Sequence, residues 1–122
     1  MITKVLVGTD GSSTAAIAVE RAVAVAAASG ATLTILSVGR DGERIATEAA
    51  AAHGDAGVAI EARGATGEPA HVLVEAAGTG GYDLLVTGNK GLTGLRRLAP
   101  VGKVPNKVAH HLPCSLLVVK TV

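Results

Sequence analysis

Phenylalanine and tryptophan are absent from this chain, and Tyr82 is its single aromatic residue. Net charge is only +1. It therefore lacks both usual devices of nucleic-acid binding, an aromatic stacking platform and a basic stripe. Cysteine is scarce as well. Cys114 stands alone, so no disulfide forms within the chain and a reducing compartment is expected. No apolar stretch approaches the length of a membrane span, and Met1 to Gly8 carry no long apolar signal core. The expectation is a cytoplasmic protein with no membrane partner. Metal chelation finds little support either, because His110 and His111 are adjacent and would point about 100° apart on a helix. No Ser–His–Asp set is legible, and Ser12 or Ser13 as a nucleophile has no base in view.

What is present is aliphatic. Apolar residues make up 48% of the 122 and charged ones 17%, enough for one packed domain spanning residues 1–122. Ala and Val dominate, which suits closely packed helices on a sheet of β-branched strands. Strand and helix patterns alternate along the chain. Lys4 to Gly8 reads as a short apolar strand, followed by a turn at Asp10 to Ser13 with several candidate helix caps. Helical periodicity runs from Thr14 to Ser29, with Ala16, Val19, Val23 and Ala26 on one stripe and Gly30 as the stop. Thr32 to Val38 is a β-rich run, and a short Ala-rich helix ends near His53. Val58 to Arg63 alternates as a strand near an edge does, and Glu68-Pro69 opens a helix that stops around Gly78 to Gly81. A strand from Leu84 to Thr87, a glycine loop, a short helix from Pro105 to about His111 and a strand from Ser115 to Lys120 complete the order. Such alternation with short links implies parallel strands and right-handed crossovers: an α/β, doubly wound five-stranded sheet with helices on both faces.

The most informative segment is Gly88-Asn-Lys-Gly91, with Gly102-Lys103-Val104 further on. A strand that ends in glycine and feeds a helix presents bare backbone N–H groups to an anion. Glycine permits close backbone approach and φ > 0, and open α/β sheets bind ligands at the carboxyl edge of their strands. Phosphate is the first ligand these features suggest. A Walker A loop is excluded, since Val104 follows Gly102-Lys103 where that motif needs Ser or Thr.

Four segments resemble the universal stress protein family and together cover nearly the whole chain. They are Val5-Leu-Val-Gly-Thr-Asp-Gly-Ser12, Gly67-Glu-Pro-Ala70, Asp83-Leu-Leu-Val-Thr-Gly-Asn-Lys-Gly-Leu-Thr-Gly94 and Ala109-His-His-Leu-Pro-Cys-Ser-Leu-Leu-Val-Val119. The resemblance implies strand order 3-2-1-4-5 and an ATP- or AMP-type site in members that keep Gly-x2-Gly-x9-Gly-Ser/Thr. Here ten residues separate Gly91 from Gly102, and Lys103 stands at the Ser/Thr position, as a cation that either replaces the hydroxyl at the phosphate or points to solvent. Segment 39–57 is also short for the family, implying a reduced second helix.

By the resemblance, Thr9, Asp10 and Val38 match the adenosine end, while Gly88, Gly91 and Gly102 match the phosphate-facing backbone, with Thr87, Lys103 and Val104 beside it. Other roles stand next to these. Asp10 either meets the nucleotide or caps the first helix, Val38 either packs on the base or is ordinary core, and Thr87 either reaches the ligand or ends a strand. Arg96 and Arg97 face phosphate or solvent. Two functions from different classes follow: a small stress-response module binding ATP or AMP without a catalytic base for more than slow hydrolysis, or a relative with a degenerate site that acts by protein–protein contact. The apolar run Leu116 to Val119, placed at a sheet edge by the family's strand order, predicts a homodimer through the last strand.

Overall fold

The computed structural model describes residues 1–96 and 112–121. Its elements are β1 (Lys4–Gly8), α1 (Ser13–Ser29), β2 (Thr32–Val38), α2 (Gly42–Ala51), β3 (Ile60–Ala65), α3 (Pro69–Thr79), β4 (Leu84–Gly88), α4 (Asn89–Arg96) and β5 (Ser115–Val119). The strands form one five-stranded parallel sheet of order β3-β2-β1-β4-β5. This is the expected doubly wound topology. The helix expected from Pro105 to His111 lies outside the described residues.

Central strands are dry because both their faces are covered. Val5, Leu6 and Val7 of β1 are all fully buried, as are Leu85 and Val86 of β4. On one face, Val5, Val7 and Ile35 meet Ala18, Val19, Ala22, Val23 and Ala26 of α1 and Ala46 of α2. On the other, Leu6, Leu36 and Leu85 meet Ala70 and Ala77 of α3 and Leu95 of α4. Val19, Val23 and Ala26 of the expected α1 stripe are buried, whereas Ala16 is exposed and Ala18 and Ala22 complete the core face. Helix α1 ends where Gly30 adopts φ 69°, in the left-handed region that glycine enters without steric cost. At the opposite end of the sheet from the glycine motif, Asp83 ties β4 to β1 by accepting from Thr3 N–H, Thr3 Oγ1 and Lys4 N–H at 2.8–2.9 Å.

The short link between β2 and α2 forces a close packing contact. A Cβ on Gly42 would lie 2.3 Å from the Ser37 carbonyl oxygen, and one on Gly64 would lie 2.4 Å from the Glu43 nitrogen. Two bare Cα atoms let the start of α2 rest directly on β2 and β3. Below it, the Ser37 hydroxyl is buried with no hydrogen-bond partner among the described residues. An orphaned buried hydroxyl costs stability, so Ser37→Ala should raise the unfolding free energy by about 1 kcal/mol. Denaturant titration checks this: a lower midpoint in the variant would show that the hydroxyl is satisfied.

Two expectations need correction. Gly88 to Gly91 is no loop, because β4 ends at Gly88 and α4 starts at Asn89. Glycines at 88, 91 and 94 read as helix breakers by propensity, but burial of Leu95 in the second core anchors the segment as a helix. Nor do Gly88 and Gly91 use positive φ. They serve close approach instead: a Cβ on Gly91 would lie 2.0 Å from Thr87 Oγ1, and one on Gly88 3.2 Å from Thr121 Cγ2.

Candidate functional site

A cavity of about 230 Å³ opens at the carboxyl ends of β1 and β4. This is the switch point of the sheet, where β1 leads through α1 to β2 on one side while β4 lies on the other. Of the residues expected there, Thr9, Asp10, Val38, Thr87, Gly88 and Gly91 all line it. Gly102, Lys103 and Val104 lie outside the described residues.

The loop after β1 is held by its own side chains. Thr9 N–H donates to the Leu36 carbonyl at 3.0 Å, and the Thr9 hydroxyl accepts from Gly11 N–H at 3.1 Å. Asp10 accepts from Ser12 N–H at 2.9 Å through Oδ1. Asp10 does not cap α1. Ser12 does, accepting from Ala15 N–H at 3.1 Å, because its hydroxyl stands three residues before that amide. Hydrogen bonding from Ser12 holds the Asp10 carboxyl below the usual carboxylate range, with a smaller contribution from the charge of Lys90. Asp10 is exposed, and its carboxylate, ionised at neutral pH, can accept further bonds.

Across the opening stand Gly88 and the first turn of α4. The first amides of a helix have no intrahelical acceptor, and Gly91 keeps this turn bare on the cavity side. Lys90 lines the same opening and brings an ammonium to it. Apolar lining comes from Leu36 and Val38 of β2 and Leu73 of α3. Val38 is only half-buried and is packed against the second core cluster, so it serves as wall and core edge together. Thr87 is 7% exposed, with its hydroxyl directed to the Gly88 carbonyl at 3.2 Å, and acts more as support under Gly91 than as an open contact.

Among the lining residues not singled out from the sequence are Leu36, Leu73, Lys90 and Thr121. Lys90 could have been found, since it lies between the two glycines of the motif. Thr121 had no local signal: it reaches the site by bonding to Asn89, 32 positions away.

A second cavity, about 430 Å³, lies between α1 and α2 and shares Thr9, Asp10 and Ser12 with the first. Its cation, Arg44, is already bound to Glu48 at 3.0 Å and lies 3.8 Å from Asp41, so it offers an anion less than Lys90 does. Burial pushes the Cys114 thiol up, which makes it a poor nucleophile. No group of three or more His, Cys, Asp or Glu side chains among the described residues is placed to hold a metal ion. No helix among them is long and apolar enough to cross a membrane.

The chain is similar to known proteins along its length. The sequence model of the Universal stress protein family matches residues 1–46 and 39–120. Universal stress protein YxiE of Bacillus subtilis (strain 168) is 31% identical over 149 residues, covering 98% of this chain and all of that protein. A crystal structure of a universal stress protein in complex with cAMP shares 41% identity with a TM-score of 0.80, covering 99% of this chain and 98% of that one. The protein Rv1636 from Mycobacterium tuberculosis H37Rv shares 35% identity with a TM-score of 0.66, covering 99% and 97%. Fold, strand order and sequence agree, and the chain belongs to the universal stress protein family.

Proposed function

We propose that this protein is a small regulatory module that binds an adenine nucleotide in the cavity between β1 and β4. The observation that carries the reading is the convergence, in about 230 Å³, of a carboxylate, an ammonium, bare helix amides and an aliphatic wall. Ligand sites are commonly built this way, with a few placed polar groups in an apolar cleft. Leu36, Val38 and Leu73 would pack on the base, and Thr9 with Asp10 would take sugar hydroxyls. The amides following Gly88, with Lys90, would meet a phosphate. Similarity to a universal stress protein in complex with cAMP supports an adenine nucleotide as the ligand class. For ATP, further phosphates would extend toward Gly102, Lys103 and Val104, a role proposed on sequence grounds alone.

The proposed role is binding and not turnover. Asp10, the carboxylate of the cavity, is held below its usual range, and a group so acidic is a weak general base. A cytoplasmic location, proposed on the single cysteine and the lack of a long apolar run in the sequence, fits such a ligand.

Calorimetric titration of nucleotide-stripped protein with AMP, cAMP and ATP tests the reading. Saturable one-to-one binding of at least one is expected, weakened about fivefold by Asp10→Ala, close to the worth of one solvent-exposed hydrogen bond. No saturable heat with any of the three would leave the second reading, a relative that acts through protein contact.

We also propose that two copies pair through β5. This strand is bonded to β4 alone among the described residues, and its Val118 is 37% exposed. An isologous antiparallel pairing would satisfy both edges at once. Sedimentation at micromolar concentration should give a dimer mass that Val118→Pro lowers to a monomer. A monomer in both proteins would show that the edge is unused.

A further inference from the structure

We infer that Asn89 and Thr121 form a latch that keeps the phosphate end of the cavity open. Phosphate recognition would then depend on the end of the last strand. The inference rests on the nucleotide reading of the cavity and adds to it a positioning pair. Asn89 is the first residue of α4, and its side-chain Oδ1 accepts two hydrogen bonds, from Thr121 N–H at 3.1 Å and Thr121 Oγ1 at 2.8 Å. Both residues are half-buried. Thr121 stands two residues beyond β5, in register with the point where β4 passes into α4, since Gly88 pairs with Val119.

The capping position before α4 belongs to Gly88, which has no side chain to offer the amides of Lys90 and Gly91. Those amides stay open to an anion. Thr121 engages the Asn89 oxygen with two donors and so ties the first turn of α4 to the end of the last strand. Thr121 also fixes the neighbouring main chain by shape. Its Cγ2 would lie 3.2 Å from a Cβ on Gly88, so its methyl group covers the bare Cα there while its hydroxyl reaches Asn89. With the latch broken from either side, the first turn of α4 loses its tie to the end of β5, and its amides are no longer held in place for the phosphate. The adenosine end, built from Thr9, Asp10 and Val38 on the other side of the cavity, makes no use of this pair. The latch therefore acts on the phosphate share of the affinity and leaves the nucleoside share alone.

The test is the ratio of AMP to adenosine affinity, measured by calorimetry on the full chain for the wild type, Asn89→Ala, Thr121→Val, Thr121→Ser and the double variant Asn89→Ala/Thr121→Val. In the wild type AMP should bind more tightly than adenosine. Thr121→Val should lower AMP affinity roughly tenfold, the scale of one charge-assisted hydrogen bond, with adenosine affinity unchanged. Thr121→Ser, which keeps the hydroxyl, should retain AMP binding. The double variant should be no weaker than the weaker single one, since both break the same link. Equal losses of AMP and adenosine affinity would overturn the latch, as would unchanged AMP affinity in Asn89→Ala and Thr121→Val. Equal wild-type affinity for AMP and adenosine would overturn it too, leaving the cavity reading intact. Absence of wild-type binding to either compound would remove both.

Discussion

Gly42→Ala should destabilise the protein by about 3 kcal/mol and lower its melting temperature by roughly 10 °C. The sign is opposite to the usual one. Gly→Ala within a helix ordinarily stabilises by about 0.4–1 kcal/mol, because it reduces the freedom of the unfolded chain. Gly42 has no left-handed φ to lose, so the steric term stands alone. The added methyl would lie 2.3 Å from the Ser37 carbonyl oxygen, which belongs to a strand paired on both sides. Backbone there cannot retreat without breaking the sheet, so α2 must lift and expose Ala46, which is fully buried. Gly54→Ala is the control, since its nearest neighbour to a Cβ is Ala51 O at an ordinary 3.6 Å. Thermal unfolding followed by circular dichroism reads both variants. Equal melting temperatures would mean that α2 shifts freely and that the close contact carries no stability.

Gly91→Val should weaken AMP binding by about 1–3 kcal/mol, between fivefold and two orders of magnitude in Kd. Two effects act at this position, and a second variant separates them. A Cβ on Gly91 would lie 2.0 Å from Thr87 Oγ1, and Thr87 is buried and stiff at χ1, so part of the effect is strain in the fold. The remainder is a side chain placed where a phosphate would approach the backbone. Thr87→Ala/Gly91→Ala relieves the steric conflict by removing the hydroxyl. It should recover the wild-type melting temperature while AMP binding stays weak. Recovery of both would reduce Gly91 to a packing residue, and undiminished binding in Gly91→Val would remove the phosphate end of the site altogether.

The parts of this fold that a sequence makes readable are those decided locally. Thr32 to Val38 is recognisable as a strand because β-branched residues crowd it, and its observed bounds coincide with the expected ones. Pro69 at the first helical position and Gly30 just past a helix end mark boundaries for steric reasons. Where contacts between distant segments decide, local patterns mislead. Helix α4 forms through two glycines because Leu95 finds a core, and β3 begins at Ile60 instead of Val58 because its register with β2 starts at Leu33. The same division runs through the site. Asp10, Gly88 and Gly91 belong to recognisable local motifs, whereas Thr121 enters through a long-range hydrogen bond and Gly42 and Gly64 through the approach of one backbone to another.

Tyr82, the single aromatic side chain, has a consequence for how this protein can be observed. It lies at the amino end of the sheet, donating to Thr34 Oγ1 at 2.7 Å with Lys4 Nζ 4.5 Å above its ring. Every chain thus carries one near-ultraviolet chromophore, remote from the cavity and fixed in the core. Its emission and dichroism report whether the sheet is intact and should stay constant when a ligand binds. An adenine ring, by comparison, absorbs far more strongly than one tyrosine. A purified sample that retained nucleotide would therefore declare it in its absorption spectrum, with the bound base dominating the protein that holds it.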